Sequence, residues 1–215
     1  KENSEYKTAQ GKGVIFSLEQ SGAYSRFNGL GPYSLRTESS KESGKERLLH
    51  FGENYWSSLF SVHYTDEFCE NSDILDTIHN NYFYEIMRSF MSICRGKSKF
   101  LDCLYLIRQG HDARIRHLDA FSWITDPDWQ PLYQIFHTAL VDVLSEIDNV
   151  SIDKASEIIK QAFWSYLANG LNRKYNQKYN KANGNFLVNI KTSLNEYTKA
   201  VPWLKKMVDI MRSTN

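Results

Sequence analysis

From about residue 53 onward, apolar side chains recur at every third or fourth position, and this spacing constrains the chain more than any other feature of it. Residues three and four apart share one face of a helix, whereas a strand needs alternation. Leu75, Ile78, Tyr82, Ile86, Phe90 and Ile93 form one stripe, with Ser72 placed to cap its start and Gly96 to end it. Residues 99–109 are apolar nearly all round and predict a short, buried central helix that Gly110 terminates. After a turn at residues 125–131, with Pro131 in a first helical position, Leu132, Ile135, Phe136, Ala139, Leu140, Val143, Leu144 and Ile147 give a complete helical series. Ser151 caps the next helix, with Ala155, Ile158, Ile159, Ala162, Phe163, Tyr166, Leu167 and Leu171 on its stripe. Leu187, Ile190, Leu194, Tyr197 and Val201 follow, and Pro202 opens a last helix carrying Leu204, Met207, Val208 and Met211.

The fold class this predicts is all-α: a helical bundle of about six to eight helices over residues 51–215. No strand–helix–strand alternation and no internal repeat of 20–50 residues points elsewhere. Residues 1–50 read differently. Gly11, Gly13, Gly22, Gly29 and Gly31 interrupt every apolar run there, which predicts an irregular, flexible, partly extended segment. It has room for a short β-hairpin built from residues 14–18 and 23–27, and residues 37–46 read as a mobile surface loop.

Composition excludes some classes. With 41% hydrophobic and 24% charged residues, the 215-residue chain is not a disordered one. No run approaches about 18 uninterrupted apolar residues, so no membrane span is expected. Cys69, Cys94 and Cys103 are odd in number and contain no Cys-x-x-Cys pair, which argues against a disulfide framework or a cysteine-rich zinc site. Cys94 and Cys103 sit among apolar neighbours and read as small hydrophobes. A reducing, cytoplasmic setting is the expectation, since no long apolar segment of a signal peptide lies in the first 30 residues.

The net charge of +1 conceals a segregation. Residues 51–159 hold 17 Asp and Glu against 8 Lys and Arg, an acidic body. Residues 160–215 reverse this with 10 Lys and Arg against 2 acids. Within that basic part, Arg173, Lys174, Lys178 and Lys181 interleave with Tyr175, Tyr179 and five Asn between residues 172 and 185, and Lys205 and Lys206 continue the sign. Ammonium and guanidinium groups displace counterions from phosphates, and Tyr175 and Tyr179 can stack on unpaired bases. The expected role is therefore that of a non-enzymatic, nucleic-acid-binding accessory subunit of a larger complex. Arg173, Lys174, Lys178, Lys181, Lys205 and Lys206 would contact phosphate, without a choice between DNA and RNA. Opposed charges also suit a protein-interaction module, or a homo-oligomer in which basic and acidic parts meet. A helix end whose lysines only face water is the plainest alternative.

A third class rests on residues 108–119, which gather Arg108, His111, Asp112, Arg114, Arg116, His117 and Asp119. The doublet His111-Asp112 resembles that of the HD-type phosphohydrolases. The resemblance implies a divalent metal held by His111 and Asp112, with His79 as the upstream ligand and Asp142 or Asp153 as the later one. Such a site would generate hydroxide for attack on phosphate. Read on its own residues, the segment is a loop in which the two aspartates pair with the arginines. Gly110 and the neighbouring arginines depart from the apolar flank of that family. No phosphate-binding glycine loop, GxSxG, HExxH or EF-hand pattern occurs, no Arg precedes a His at the spacing of helical RNases, and no cofactor is called for. Trp123 and Trp129, both near turns, are candidates for a partner surface.

Overall fold

A computed structural model describes residues 5–21, 24–33, 38–70, 75, 76, 78–110 and 120–182. In order along the chain come β1 (Tyr6–Ser21), β2 (Tyr24–Tyr33), α1 (Gly44–Glu53), β3 (Val62–His63), α2 (Thr65–Glu70), α3 (Asn81–Arg95), β4 (Lys97–Gly110), α4 (Ala120–Ile124), α5 (Trp129–Asp148) and α6 (Ile152–Ala182). The fold is mixed α/β, not the all-α bundle the periodicity predicts. A four-stranded sheet is built around β1, which pairs with β2, β3 and β4. The two helical stripes expected beyond residue 186 lie outside the described residues.

The sheet corrects two readings. β1 and β2 pair antiparallel from Gly13↔Tyr33 to Ser21↔Tyr24, with a register shift between Ser17 and Leu18. The glycines that seem to break this region are what allow its strands to close. A Cβ on Gly11 would stand 2.7 Å from both the Cys103 carbonyl oxygen and the Tyr105 Cβ, which no real side chain tolerates. Residues 99–109 are likewise strand, not buried helix. Gly96 ends α3 in extended backbone (φ −175°, ψ −179°), so the chain passes straight into β4. Lys97 N then donates to the Glu5 carbonyl at 2.8 Å. Points of approach climb together along β1 and β4: Glu5 with Lys97, Gly11 with Cys103, Ile15 with Gly110. β4 therefore runs in the same sense as β1, while β3 pairs antiparallel through Thr8↔His63 and Ala9↔Val62. An apolar run of this length cannot be assigned to helix or strand by its own periodicity. Here the partner strand decides, and every second side chain of the outer half of β4 is left exposed, Leu101, Cys103, Tyr105 and Ile107 among them.

The chain clusters into two compact units. The first comprises Lys1–Gln10, Arg36–Leu101 and His117–Lys174 and holds the helical core. Leu48, Phe51, Phe83, Phe90, Phe136, Leu140, Ile159 and Phe163 are buried there. Aromatic rings meet edge to face, as Phe51 does with Phe90 at 5.0 Å and Phe90 with Phe136 at 5.3 Å, a geometry that adds to simple area burial. Trp123 is 1% exposed and packs on Tyr82 and Phe83, so it anchors the core and is no partner surface. The second unit, Gly11–Leu35 with Asp102–Arg116 and Tyr175–Asn215, has a small core of Val14 flanked by Leu30 and Leu104.

Helix boundaries follow local chemistry. α1 starts inside the segment that reads as a mobile loop. Ser43 and Glu46 close a capping box, Glu46 N donating to Ser43 Oγ at 3.2 Å while Ser43 N donates to Glu46 Oε2 at 3.4 Å. α3 begins at Asn81, later than the stripe from Leu75 suggests, because Asn80 Oδ1 accepts from Tyr82 N and Phe83 N at 3.0 and 3.1 Å. Leu75 and Ile78 are still buried, but ahead of the helix. In α5 the buried face is Tyr133, Phe136, Leu140 and Leu144, rotated from the predicted one, so Ile135 and Ile147 are exposed. Ser151 caps α6 as expected from its position, its Oγ accepting from Lys154 N at 3.3 Å.

Candidate functional site

Among the described residues, two places have the makings of a binding site. The first is the end of α6. The buried stripe of that helix runs from Ala155 to Leu167, and residues 172–182 contain no Leu, Ile, Val, Met or Phe. The helix nonetheless continues to Ala182. At 3.6 residues per turn this continuity sets Lys174, Lys178 and Lys181 at i, i+4 and i+7, one stripe of helix positions. Tyr175 and Tyr179 fall on the adjoining stripe on one side, and Arg173 with Asn180 on the other. Lys205 and Lys206 lie outside the described residues.

The second place was not foreseen from the sequence. The first residues of β1, β3 and the first residues of β4 enclose a recess of about 500 Å³ within the first unit. Lys7 and Lys99 line it together with Tyr6, Tyr64, Val62 and Leu101. Lys7 Nζ lies 6.0 Å from the centre of the Tyr64 ring, and Lys99 Nζ lies 5.5 Å from that of Tyr6. These residues are scattered over nearly a hundred positions, and only the register of β1 with β3 and β4 brings them together. A weak signal was present in Lys97-Ser98-Lys99-Phe100-Leu101: once read as a strand, its alternate positions share a face.

His63 also lines the recess, and Glu67 follows it four residues later in α2. His63 Nε2 is 2.8 Å from the Ser58 carbonyl, so it is the donor there, and burial lowers the imidazole's affinity for a proton. Glu67 is 6% exposed, and neither carboxylate oxygen has a hydrogen-bond partner. Burial raises its pKa to about 7, against the opposing pull of Lys7 and Arg95. The consequence for stability has a definite sign. Below the ordinary carboxylate pKa, folded and unfolded chains both carry the proton. As pH rises toward 7 the unfolded chain releases it first, so folding weakens through that window and levels off above it. Glu67→Gln is expected to be more stable than the parent at pH 8, by about 1–3 kcal/mol, with the advantage vanishing near pH 4.5. Urea unfolding at the two pH values checks this, and an equal difference at both would show that Glu67 is not the titrating group.

The residues that resemble a metal-hydrolase set are not brought together in the described part. His79 is exposed, two residues ahead of α3, whereas His111 and Asp112 lie outside the described residues. Among the described residues no group of three or more His, Cys, Asp or Glu is placed to hold a metal ion. All three cysteines are free. Cys94 is buried and its thiol pushed up to about 12 by that burial, whereas Cys103, expected inside, is exposed on β4. Among the described residues no helix is long and apolar enough to cross a membrane. Compared with models of known families, with curated proteins and with solved structures, the chain finds no match in any of the three.

Proposed function

We propose that this chain is a non-enzymatic accessory protein that holds a nucleic-acid backbone along the end of α6, working within a larger cytoplasmic assembly. One observation carries the reading: α6 outlasts its own apolar stripe and continues to Ala182 through the most basic stretch of the sequence. A helix whose last three turns contain no Leu, Ile, Val, Met or Phe offers little for a core to pack against. Its lysines recur at a spacing that suits a row of phosphates, and neighbouring tyrosines suit base stacking. The acidic body of the chain, with net charge opposite to this end, would keep the polyanion from spreading over the remaining surface.

The triple variant R173E/K174E/K178E tests the reading. Three fewer phosphate contacts should flatten the slope of log affinity against log salt by roughly 2–3 on duplex DNA and cost at least about tenfold in affinity. Binding of labelled DNA and RNA across salt concentrations provides the readout, with helix content followed by circular dichroism. Equal affinity and an equal slope in the variant would remove the proposal.

A further inference from the structure

We propose that the recess formed by the starts of β1, β3 and β4 binds a small organic anion with a flat apolar body, an aryl carboxylate in the simplest case. The proposal is independent of the α6 reading, since none of its residues lies on that helix. Its volume of about 500 Å³ falls within the range of small-molecule sites, which are typically apolar walls with a few placed polar groups. The walls fit that description. Val62 is 56% exposed, Tyr64 51% and Leu101 45%, an unusual amount of large apolar surface held around one hollow instead of against the core. Covering it releases roughly 25 cal/mol for each Å² removed from water.

The polar groups select the charge. Both side chains that carry a formal charge at the lining are cations, Lys7 and Lys99, and no carboxylate lines the hollow. Lys7 makes no ion pair among the described residues; its ammonium faces the Tyr64 ring. Lys99 meets Glu38 at 3.3 Å, with both side chains nearly half exposed, so the pair is screened by water and worth little. His63 adds little positive charge, because burial lowers its affinity for a proton against the opposing effect of the Ser58 carbonyl. A ligand anion would therefore find two ammonium groups. A flat body would lie on Tyr64, Val62 and Leu101, where stacking on tyrosine adds to area burial. Inorganic anions lack the apolar part and neutral aromatics lack the charge, so neither satisfies both halves of the site.

The test titrates the full chain with 2-naphthoate, with 2-naphthylmethanol as its neutral counterpart and with inorganic phosphate, following binding by calorimetry. Naphthoate should saturate a single site, and the alcohol should bind at least about tenfold more weakly, the equivalent of about 1.4 kcal/mol. Phosphate should not saturate. Lys7→Met with Lys99→Met should weaken naphthoate by about tenfold or more, and Val62→Asp, at an exposed position that leaves the core untouched, should abolish it. Failure of naphthoate to saturate at millimolar concentration would overturn the proposal. So would equal binding of acid and alcohol, saturation by phosphate, or undiminished naphthoate binding by either variant. The triple variant in α6 should bind naphthoate like the parent, which separates this site from the polyanion surface.

Discussion

Replacing Arg47 with methionine is expected to destabilise the first unit by about 3–5 kcal/mol, a large part of the 5–15 kcal/mol that holds a typical domain together. Arg47 belongs to α1 and is 4% exposed, yet it makes no ion pair among the described residues. Its guanidinium is satisfied by backbone alone. Nε donates to the Ile93 carbonyl at 2.9 Å and Nη2 to the Cys94 carbonyl at 2.6 Å, both in the last turn of α3. Nη1 donates to the carbonyls of Lys41 and Glu42, just ahead of α1. A buried cation thus sits where the α3 dipole is negative and supplies donors to carbonyls that no intrahelical N–H can reach. The same corner has the complementary device: Asp148, the last residue of α5, accepts from Gly44 N and Lys45 N at 2.7 Å each, at the positive end of α1. Burial pulls the Arg47 pKa down and Asp148 pulls it back up, and a guanidinium remains charged throughout. Methionine fills similar space but strands the four carbonyls. Lysine keeps the charge, but from a single nitrogen it cannot span acceptors on two segments, so Arg47→Lys should lose about half as much. Thermal melts check both. A fall in Tm below about 2 °C for Arg47→Met would mean that water replaces the guanidinium without loss.

How much of this was legible in the sequence depends on which partner each residue answers to. α5 and α6 answer mainly to themselves and one neighbour, so stripes such as Ile158, Ile159, Ala162 and Phe163 are buried much as their spacing requires. α1 has a local signature in the capping box Ser43-x-x-Glu46, but the polar run around it carries the pattern of a loop. β4 was not legible. Phe100 to Ile107 satisfies helix and strand patterns equally, and the deciding fact, pairing with β1 more than ninety residues earlier, has no local trace. Glycines mislead for the same reason, since Gly11 and Gly13 look like breaks until Cys103, Tyr105 and Tyr33 are placed against them. The candidate sites divide along the same line. The α6 lysines are contiguous, and their helical continuation is a local property. Lys7, Tyr64 and Lys99 become one recess only through sheet register, so composition alone could not have joined them.

Two glycines in helices offer a matched test of that dependence on distant neighbours. Alanine in place of Gly170, in α6, should stabilise the fold by about 0.5–1 kcal/mol, because helix propensity improves and a Cβ there meets nothing within 4 Å. The same change at Gly52, in α1, should destabilise it by about 2 kcal/mol net, and Gly52→Val by about 4 kcal/mol. A Cβ on Gly52 would overlap the Ala162 carbonyl oxygen and stand 2.9 and 3.0 Å from its carbon and Cα. These are backbone atoms of α6 and have no rotamer with which to retreat, so the helices themselves must separate. Separation would also pull Asn169 Nδ2 away from the Glu53 carbonyl, which it now reaches at 3.0 Å, and would loosen the packing of Phe163 and Ile159 beside it. The local gain in propensity is the same at both positions, and only the neighbour differs. Urea midpoints of Gly52→Ala and Gly170→Ala should therefore move in opposite directions from the parent. Movement in the same direction would mean that α1 and α6 do not approach at Gly52 as closely as the structure places them.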